Sequence, residues 1–518
     1  MRPEVLLGLD VGTTSVKTVA IDTTGRWLAT AAVPLRTRHP GEGWAEQDPE
    51  ELVRAAQGTL ARVATSPSVR RGQVLGLGIT NQRESTLAVD PSNGRALSPL
   101  LLWHDLRTLS IAEEFGKRGW RSRLWKSGGM PLTTYPSAPK IVWLLRNCAK
   151  VRTAVPRDRV RFLTVDAWIA YRLLGGARTG APFLTDPSNA SRTLLLDPET
   201  GRYDPGACRH FGVDREWLAK IVPSWGKELG TLQAPGEPLH GIPLLSLLGD
   251  QQASLLGLSS LYGGDAKVTL GTGAFLLAKG RGKGDPERSG YLRTVLWLEA
   301  GKDPELGIEG SVGAAGSFLD WLCGKGLRLF RDPVEMERLA PRARPHGGEL
   351  FVPALCGLFA PHWNLEARGL LHGLDLSTRR EDLARSAFEG LAHSIADVVE
   401  VIAHARGSSL SPLLVDGGVA RSRLLLKLLA EYSGTTLRRC DFVDGTALGA
   451  ALAAGYGSRS LPGPGRSRPR ARSGSELIVP KGRAADRRRS REEWHRALAH
   501  AFLRTNRQGG PFSMDQRP

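Results

Sequence analysis

The sequence predicts an α/β protein with two large domains, and three observations support this prediction. With 518 residues, 41% of them hydrophobic, the chain is too long for one hydrophobic core. Short apolar strands at 75–79, 86–89 and 292–298 alternate with amphipathic helices at 49–64 and 380–405, a pattern that suits layered sheets and helices. Two strand–turn–strand segments, each with a Gly-Thr pair, lie about 260 residues apart, and this spacing indicates a duplicated domain.

The first of these segments is a hairpin at the N-terminus. An apolar strand at 5–9 runs into DVGTTSVK (10–17), and a second strand follows at 18–21. The turn lacks the GxxxxGK(S/T) pattern of a P-loop. The backbone amides and hydroxyls of such a turn can still surround phosphate oxygens. Asp10 at the strand end can hold a magnesium ion through water. A polar hairpin tip without a special function is the simpler interpretation of this motif taken alone.

The segment around which the chain is organised is LLSLLGDQQASLLGL (244–258). An apolar strand ends at Gly249, places Asp250 and two glutamines side by side, and continues into a helix-compatible segment. Apolar surroundings increase the electrostatic strength of a carboxylate, so Asp250 is the candidate catalytic base. The alternative is that Asp250 only caps the helix that follows.

Two further glycine turns lie in the second half of the chain. KVTLGTGAFLL (267–277) is the second strand–Gly-Thr–strand segment, and we expect its tip to face the first tip across one nucleotide. PLLVDGGVA (412–420) is an apolar strand that ends in a glycine pair, and a helix follows it. A glycine pair permits the close approach of a flat ring or a phosphate.

The bulk composition excludes several classes of protein. The five cysteines are far apart, odd in number and without a CxxC pair, which argues against a disulfide framework or a zinc site. No apolar run approaches the length that spans a bilayer, and the N-terminal apolar stretch is too short for a signal peptide. We therefore expect a cytoplasmic protein without a membrane span.

The net charge of +18 is concentrated at the C-terminus. Residues 458–518 hold fifteen Lys or Arg and five Asp or Glu, so ten of the eighteen net charges lie there. The arginines at 458–475 have no aromatic side chains among them, and a solvated charge run is commoner than a nucleic-acid arm. We therefore do not expect a nucleic-acid partner.

Many sequence blocks occur in an order that is typical of one family. The chain resembles the FGGY carbohydrate kinases, and within them the members that phosphorylate glycerol. Two longer stretches, YPSAPKIVWLLRN (135–147) and GLLHGLDLSTRREDLARSAFE (369–389), resemble the long signatures of that family. The other blocks are GLDVGTTS, GITNQREST (78–86), LLWHDLRT (101–108), TDPSNASRT (185–193), GDQQASLLG, GTGAF, GLFAPHWNLEARG (357–369) and TALGAALAAG (446–455).

The resemblance implies an actin-like ATPase fold. It has two duplicated RNase H-like domains, each with a mixed five-stranded sheet flanked by helices. We place the phosphate hairpin, polyol site and catalytic acid in residues 1–256, and the nucleotide-binding domain in residues 257–457. A basic linker rich in Pro, Gly and Arg is predicted at 458–485, and a C-terminal helix and tail at 486–518. Dimers and tetramers are common in the family, and the sequence leaves the oligomeric state open.

The resemblance also implies a reaction, its cofactors and its site residues. ATP with Mg²⁺ would phosphorylate a small polyol, and Asp250 would take the proton of the attacking hydroxyl. The implied polyol contacts are Arg83, Glu84, Tyr135, Asp250 and Gln251, with Trp103 and Phe275 as apolar walls. The implied nucleotide contacts are Thr13, Thr14, Ser15, Lys17, Thr272, Gly316, Asp320, Gly418 and Ser422, and magnesium is placed near Asp10 and Asp250. Without the resemblance, Arg83 and Glu84 would be interpreted as a surface ion pair, and the two walls as core residues.

Four departures from the family pattern leave alternatives open. Ser422 replaces a common asparagine at the adenine, as in the xylulose-phosphorylating branch, and Asp320 replaces a frequent glutamine. Pro136 and Pro139 alter the wall beside the polyol. Lys17 replaces an arginine, which keeps the charge but removes the bidentate fork. A kinase of another polyol or of a ketose is therefore one alternative, and a non-catalytic actin-like nucleotide-binding protein is another.

Overall fold

In the computed structural model, two mixed sheets with related topology form the two halves of the protein. The structure describes residues 2–233, 239–344, 348–441, 444–465 and 474–503. The strands of the first sheet are β1 (Glu4–Val11), β2 (Ser15–Asp22), β3 (Trp27–Pro34), β4 (Gln73–Asn81), β5 (Gly230–Thr231) and β6 (Pro243–Gly249). The strands of the second sheet are β7 (Ala266–Leu270), β8 (Ala274–Lys279), β9 (Leu292–Trp297), β10 (Glu305–Val312), β11 (Leu413–Asp416), β12 (Leu437–Cys440) and β13 (Ser475–Ile478).

The strand order supports the duplication that the two hairpins predicted. The first sheet has the order β5-β6-β4-β1-β2-β3, and the second has the order β9-β10-β8-β7-β11-β12-β13. In each, three antiparallel strands are followed by two strands parallel to the first of the three. The expected number of five strands per sheet is too low, because β5 extends one edge of the first sheet and β9 and β13 extend both edges of the second.

Eight helices matter for the site or for the packing of the two sheets. The start of the first is encoded locally, since the Asp48 side chain accepts a hydrogen bond from the Glu50 amide and a proline follows Asp48. These helices are α1 (Pro49–Ala64), α2 (Ser137–Asn147), α3 (Asp250–Tyr262), α4 (Gly316–Asp320), α5 (Arg380–Arg406), α6 (Arg423–Ser433), α7 (Gly445–Gly457) and α8 (Ala484–Leu503).

Short elements complete the described part of the chain. The remaining α-helices are Pro67–Arg70, Leu109–Phe115, Arg121–Gly128, Ala149–Ala154, Val165–Leu173, Pro187–Ala190, Pro205–Phe211, Pro286–Ser289 and Pro333–Leu339. The remaining strands are Glu46–Gln47, Leu87–Asp90, Arg95–Ala96, Leu100–Leu101, Arg161–Leu163, Leu184–Thr185, Leu196–Asp197, Arg202–Tyr203, Lys220–Ile221, Leu350–Val352 and Leu370–His372. None of the described helices is both long and apolar enough to cross a bilayer.

Helix α7 joins the two halves because its small residues permit close approach. A Cβ atom at Gly8 of β1 would lie 2.1 Å from the Ala447 carbonyl oxygen, and one at Gly449 would lie 1.8 Å from the Ala253 carbonyl oxygen. Even a methyl side chain at Gly8 or Gly449 would force α7 away from β1 or from α3, respectively. The TALGAALAAG block thus fills the space between the first sheet and α3.

The C-terminal helix docks on the body through a buried tryptophan and a buried arginine. Trp494 is fully buried and its Nε1 donates to Asp397 at 2.9 Å, while Arg491 pairs with the same carboxylate and with Glu400. Strand β13 lies inside the segment predicted as a linker, so that part of 458–485 is an edge strand. Most of the arginine-rich part of that linker, residues 466–473, lies outside the described residues.

Candidate active site

The strand pairing brings three of the predicted motifs to one edge of the first sheet. Strands β1, β4 and β6 run parallel, with Val11 opposite Asn81 and Gly249 opposite Asn81 on the other side. Their carboxyl ends therefore deliver Asp10, the segment 82–84 and Asp250 to the same side. Ligands bind beyond the carboxyl ends of parallel strands in open α/β sheets.

Asp250 is the first residue of α3 and has one free carboxylate oxygen. Its Oδ1 lies 3.1 Å from Arg83 Nε and accepts the Gln251 amide at 2.7 Å, whereas Oδ2 accepts no hydrogen bond from the described residues. Gly249 occupies the helix cap, so the alternative role of Asp250 as the cap is not observed. Burial raises the pKa of Asp250 above its ordinary value, although Arg83 and Lys267 oppose the rise. A free oxygen with a raised proton affinity suits a general base.

Arg83 and Glu84 are both held in a buried ion network, which excludes the surface ion pair. The guanidinium of Arg83 donates two hydrogen bonds, of 2.7 and 3.0 Å, to the two oxygens of Glu309 on β10. Arg192 Nε donates to Glu84 Oε1 at 2.6 Å, and its Nη2 reaches Glu309 at 3.4 Å. All four side chains are at most 3% exposed. Burial tends to raise the pKa of Glu309, but Arg192 and Arg83 lower it to about 2, so its charge is present at neutral pH.

Glu84 combines an unusual backbone with a free oxygen. Its φ is +60°, a conformation that side chains other than glycine adopt at a cost of about 1–3 kcal/mol. The Glu84 Oε2 accepts no hydrogen bond from the described residues. Strain of this kind is common at ligand sites, and a free oxygen can accept a hydrogen bond from an alcohol.

Three half-buried aromatic rings form a wall beside these charges. Trp103 contacts Tyr135 and Phe275 edge to face, with centroid distances of 5.9 and 6.1 Å. Phe275 comes from β8 and the other two come from the first half, so both halves build the wall. Lys140 on α2 donates to the Tyr135 carbonyl at 2.7 Å and to those of residues 134 and 136, which fixes the loop of Tyr135. Pro136 and Pro139 lie at the cap and in the first turn of α2, where a proline removes no helical hydrogen bond.

The first glycine turn is linked to the aromatic wall by Thr13. Its hydroxyl donates to Gln82 at 3.1 Å and accepts from Trp103 Nε1 at 3.1 Å. Thr14 is exposed and Ser15 is partly exposed. Lys17 lies opposite Asp10 in the hairpin register and forms an ion pair with Asp444, directly before α7.

The predicted nucleotide residues of the second half are Thr272, Gly316, Asp320, Gly418 and Ser422. The amide of Gly316 donates to the Gly271 carbonyl at 2.9 Å, and the Thr272 carbonyl accepts from residues 315 and 317. A Cβ at Gly316 would lie 3.0 Å from Val419 Cγ2, so the turns at 271–273 and 417–418 are brought together. Gly418 and Asp320 are exposed, as an incoming ligand requires. The Ser422 hydroxyl accepts a hydrogen bond from the Leu425 amide and caps α6. This capping role accounts for a serine at position 422 independently of any nucleotide contact.

Asp10 and Asp250 fit a divalent cation. Burial and then Asp250 raise the pKa of Asp10 to about 7, with Lys17 opposing, and the Asp10 carboxylate makes no hydrogen bond to the described residues. Oxygen ligands of this kind are those that Mg²⁺ prefers. Two neighbouring acids with free oxygens are stabilised by a cation between them.

Four residues of the site escaped the sequence analysis. They are Arg192, Lys267, Glu309 and Asp444. Arg192 lies within the block TDPSNASRT, which was noted only as a resemblance, and Lys267 lies in the strand before the second turn. Each contacts a predicted residue that lies between 16 and 427 positions away along the chain, beyond the range of a helix or strand period, so the local pattern carries no signal for its role.

Comparisons with known proteins agree with this geometry. The profile of the FGGY family of carbohydrate kinases matches residues 5–257 with its N-terminal domain and residues 266–458 with its C-terminal domain. A glycerol kinase of Thermus brockianus is 40% identical over 460 residues, 88% of this chain and 90% of that protein. A glycerol kinase of Corynebacterium glutamicum is 34% identical over 502 residues, 95% and 97% of the two chains. The crystal structure of Plasmodium falciparum glycerol kinase with ADP superposes with a TM-score of 0.85 at 26% identity and covers 96% of this chain and 98% of that chain.

Proposed function

Because the chain belongs to the FGGY family of carbohydrate kinases, we propose that it transfers the γ-phosphoryl group of ATP to glycerol and forms sn-glycerol 3-phosphate. The observation that carries the proposal is the free Oδ2 of Asp250 beside Arg83, Glu84 and an aromatic wall. A small polyol has little apolar surface, so such a site recognises it through its hydroxyls and one flat edge.

The chemistry follows from the groups that surround the polyol. Arg83 donates to a hydroxyl oxygen, and Glu84 Oε2 accepts a hydroxyl proton. Asp250 Oδ2 takes the proton of the terminal hydroxyl while the hydroxyl oxygen attacks the γ-phosphorus, and ADP leaves with the pair of electrons of the broken P–O bond. Closure of the two halves would exclude water, which otherwise competes as the acceptor.

The phosphates of ATP would lie between the two glycine turns. We propose contacts from Thr14, Ser15 and Lys17 on one side and from Thr272 on the other, with Gly316 and Gly418 admitting the nucleotide. Asp10 and Asp250 would hold Mg²⁺ mostly through water, and the ion would neutralise phosphate charge when bound. Lys17 has to exchange Asp444 for a phosphate oxygen.

The test is ATP consumption by the purified protein with glycerol, other polyols and ketoses including xylulose. We expect turnover with glycerol well above that with water, and loss of that turnover in Asp250→Asn. Turnover with xylulose and not with glycerol would show that the substrate is a ketose. Tight ATP binding without transfer to any acceptor would indicate a non-catalytic protein. The cytoplasmic location and an assembly into a dimer or tetramer remain predictions, which cell fractionation and light scattering check.

A further inference from the structure

We propose that Lys267 on β7 is a positioning residue for the polyol, because it fixes the direction in which the side-chain amide of Gln251 donates its hydrogen bond. The inference rests on the proposed function, since Gln251 belongs to the polyol site. Like Glu309, Lys267 is a residue of the second half that supports a polyol-binding group of the first half.

The contacts of Lys267 are buried and polar. Its side chain is fully buried, and its Nζ donates to Gln251 Oε1 at 2.5 Å and to Thr269 Oγ1 at 2.6 Å. Gln251 directly follows Asp250 and is partly exposed in the cleft. The lysine therefore lies behind a substrate residue and outside the reach of the substrate.

The chemistry of the ammonium group determines the orientation of the amide. An ammonium group has three donors and no acceptor, so the oxygen of the Gln251 amide faces it. The Gln251 Nε2 makes no hydrogen bond to the described residues, and its two donors are left for the cleft. A substrate hydroxyl whose oxygen accepts a hydrogen bond from Gln251 Nε2 keeps its own proton free. It can donate that proton to an acceptor such as Asp250 Oδ2.

A second contact holds the lysine itself in place. The Thr269 hydroxyl accepts from Lys267 and donates to Asp416 Oδ1 at 2.6 Å, and Asp416 directly precedes the glycine pair of the nucleotide turn. Burial lowers the pKa of Lys267, and the carboxylates of Asp416 and Asp250 oppose this effect. Arg83 and Glu309 also face the lysine, with opposite charges.

The test is a double-mutant cycle between Lys267→Met and Gln251→Ala. In the otherwise native enzyme we expect Lys267→Met to lower kcat/KM for glycerol about tenfold, mainly through the KM for glycerol, with the KM for ATP unchanged. In the Gln251→Ala background, Lys267→Met is expected to lower kcat/KM for glycerol by less than about twofold, because the amide that the lysine orients is absent. Lys267→Arg retains the donors and is expected to recover most of the activity.

Controls separate positioning from loss of structure. Lys279→Met removes a lysine on the neighbouring strand whose exposed ion pair with Glu305 lies away from the site, and it is expected to leave activity unchanged. ADP binding monitors folding, and Thr269→Val replaces Lys267→Met in the cycle if the latter does not fold. An equal cost of the lysine change in both backgrounds overturns the proposal. Wild-type turnover is measured first on the acceptor panel, so absence of turnover with glycerol refutes the proposed function separately, and the cycle is then measured with the acceptor that reacts.

Discussion

Glu309→Gln removes the carboxylate that two buried arginines share, and the structure gives the size of the effect. Glu309 is 1% exposed and receives hydrogen bonds from Arg83 at 2.7 and 3.0 Å and from Arg192 at 3.4 Å. A neutral amide of the same shape leaves Arg83 paired with Asp250 only and Arg192 paired with Glu84 only, so each buried arginine loses one of its two carboxylate partners. Breaking a buried pair in this way costs about 3–5 kcal/mol of unfolding free energy.

The expected result is a protein with lower stability and weaker polyol binding. At about 2–4 °C per kcal/mol, the melting temperature is expected to fall by roughly 6–20 °C in differential scanning calorimetry. The KM for glycerol is expected to rise more than kcat falls, because Arg83 loses the group that holds it.

Low pH offers a second measurement with a defined sign. The pKa of Glu309 is lowered from 4.5 to about 2 in the folded protein, so its contribution to stability is complete above pH 4.5 and is lost as the pH falls toward 2. The difference in unfolding free energy between Glu309→Gln and the native protein is therefore expected to shrink as the pH falls over that range. Glu305→Gln, on the same strand but in an exposed pair, serves as the control and is expected to change stability by less than about 1 kcal/mol. A Glu309→Gln protein with native melting temperature and native KM would refute the reasoning.

Three further predictions concern other parts of the chain. Asp250→Asn is expected to lower kcat about 10²–10⁴-fold with ADP affinity retained, as stopped-time product assays and calorimetry can check. Asp444→Asn frees Lys17 and is expected to tighten ADP binding a few-fold (about 0.5–1 kcal/mol) in isothermal titration, whereas weaker binding would contradict a competing ion pair. Trp494→Ala is expected to cost about 3–5 kcal/mol and to expose α8 to limited proteolysis, and an unchanged digestion pattern would exclude its docking role.

The sequence by itself determined the local elements and most of the residues that meet at the cleft. Helix α1 has the predicted bounds because the Asp-Pro pair before it is a local start signal. The hairpin β1–β2 and the junction of β6 with α3 follow from apolar runs that end at glycine turns. Because parallel strands share the direction of their carboxyl ends, Asp10, Arg83 and Asp250 converge once the pairing is known.

The tertiary structure alone decided which charges support these residues. Glu309 lies 226 positions from Arg83, and Arg192 lies 108 positions from Glu84, so no periodicity or spacing links them. Local sequence determines where a strand ends and which side chain it presents, whereas the partner of a buried charge depends on how the two halves of the protein pack against each other.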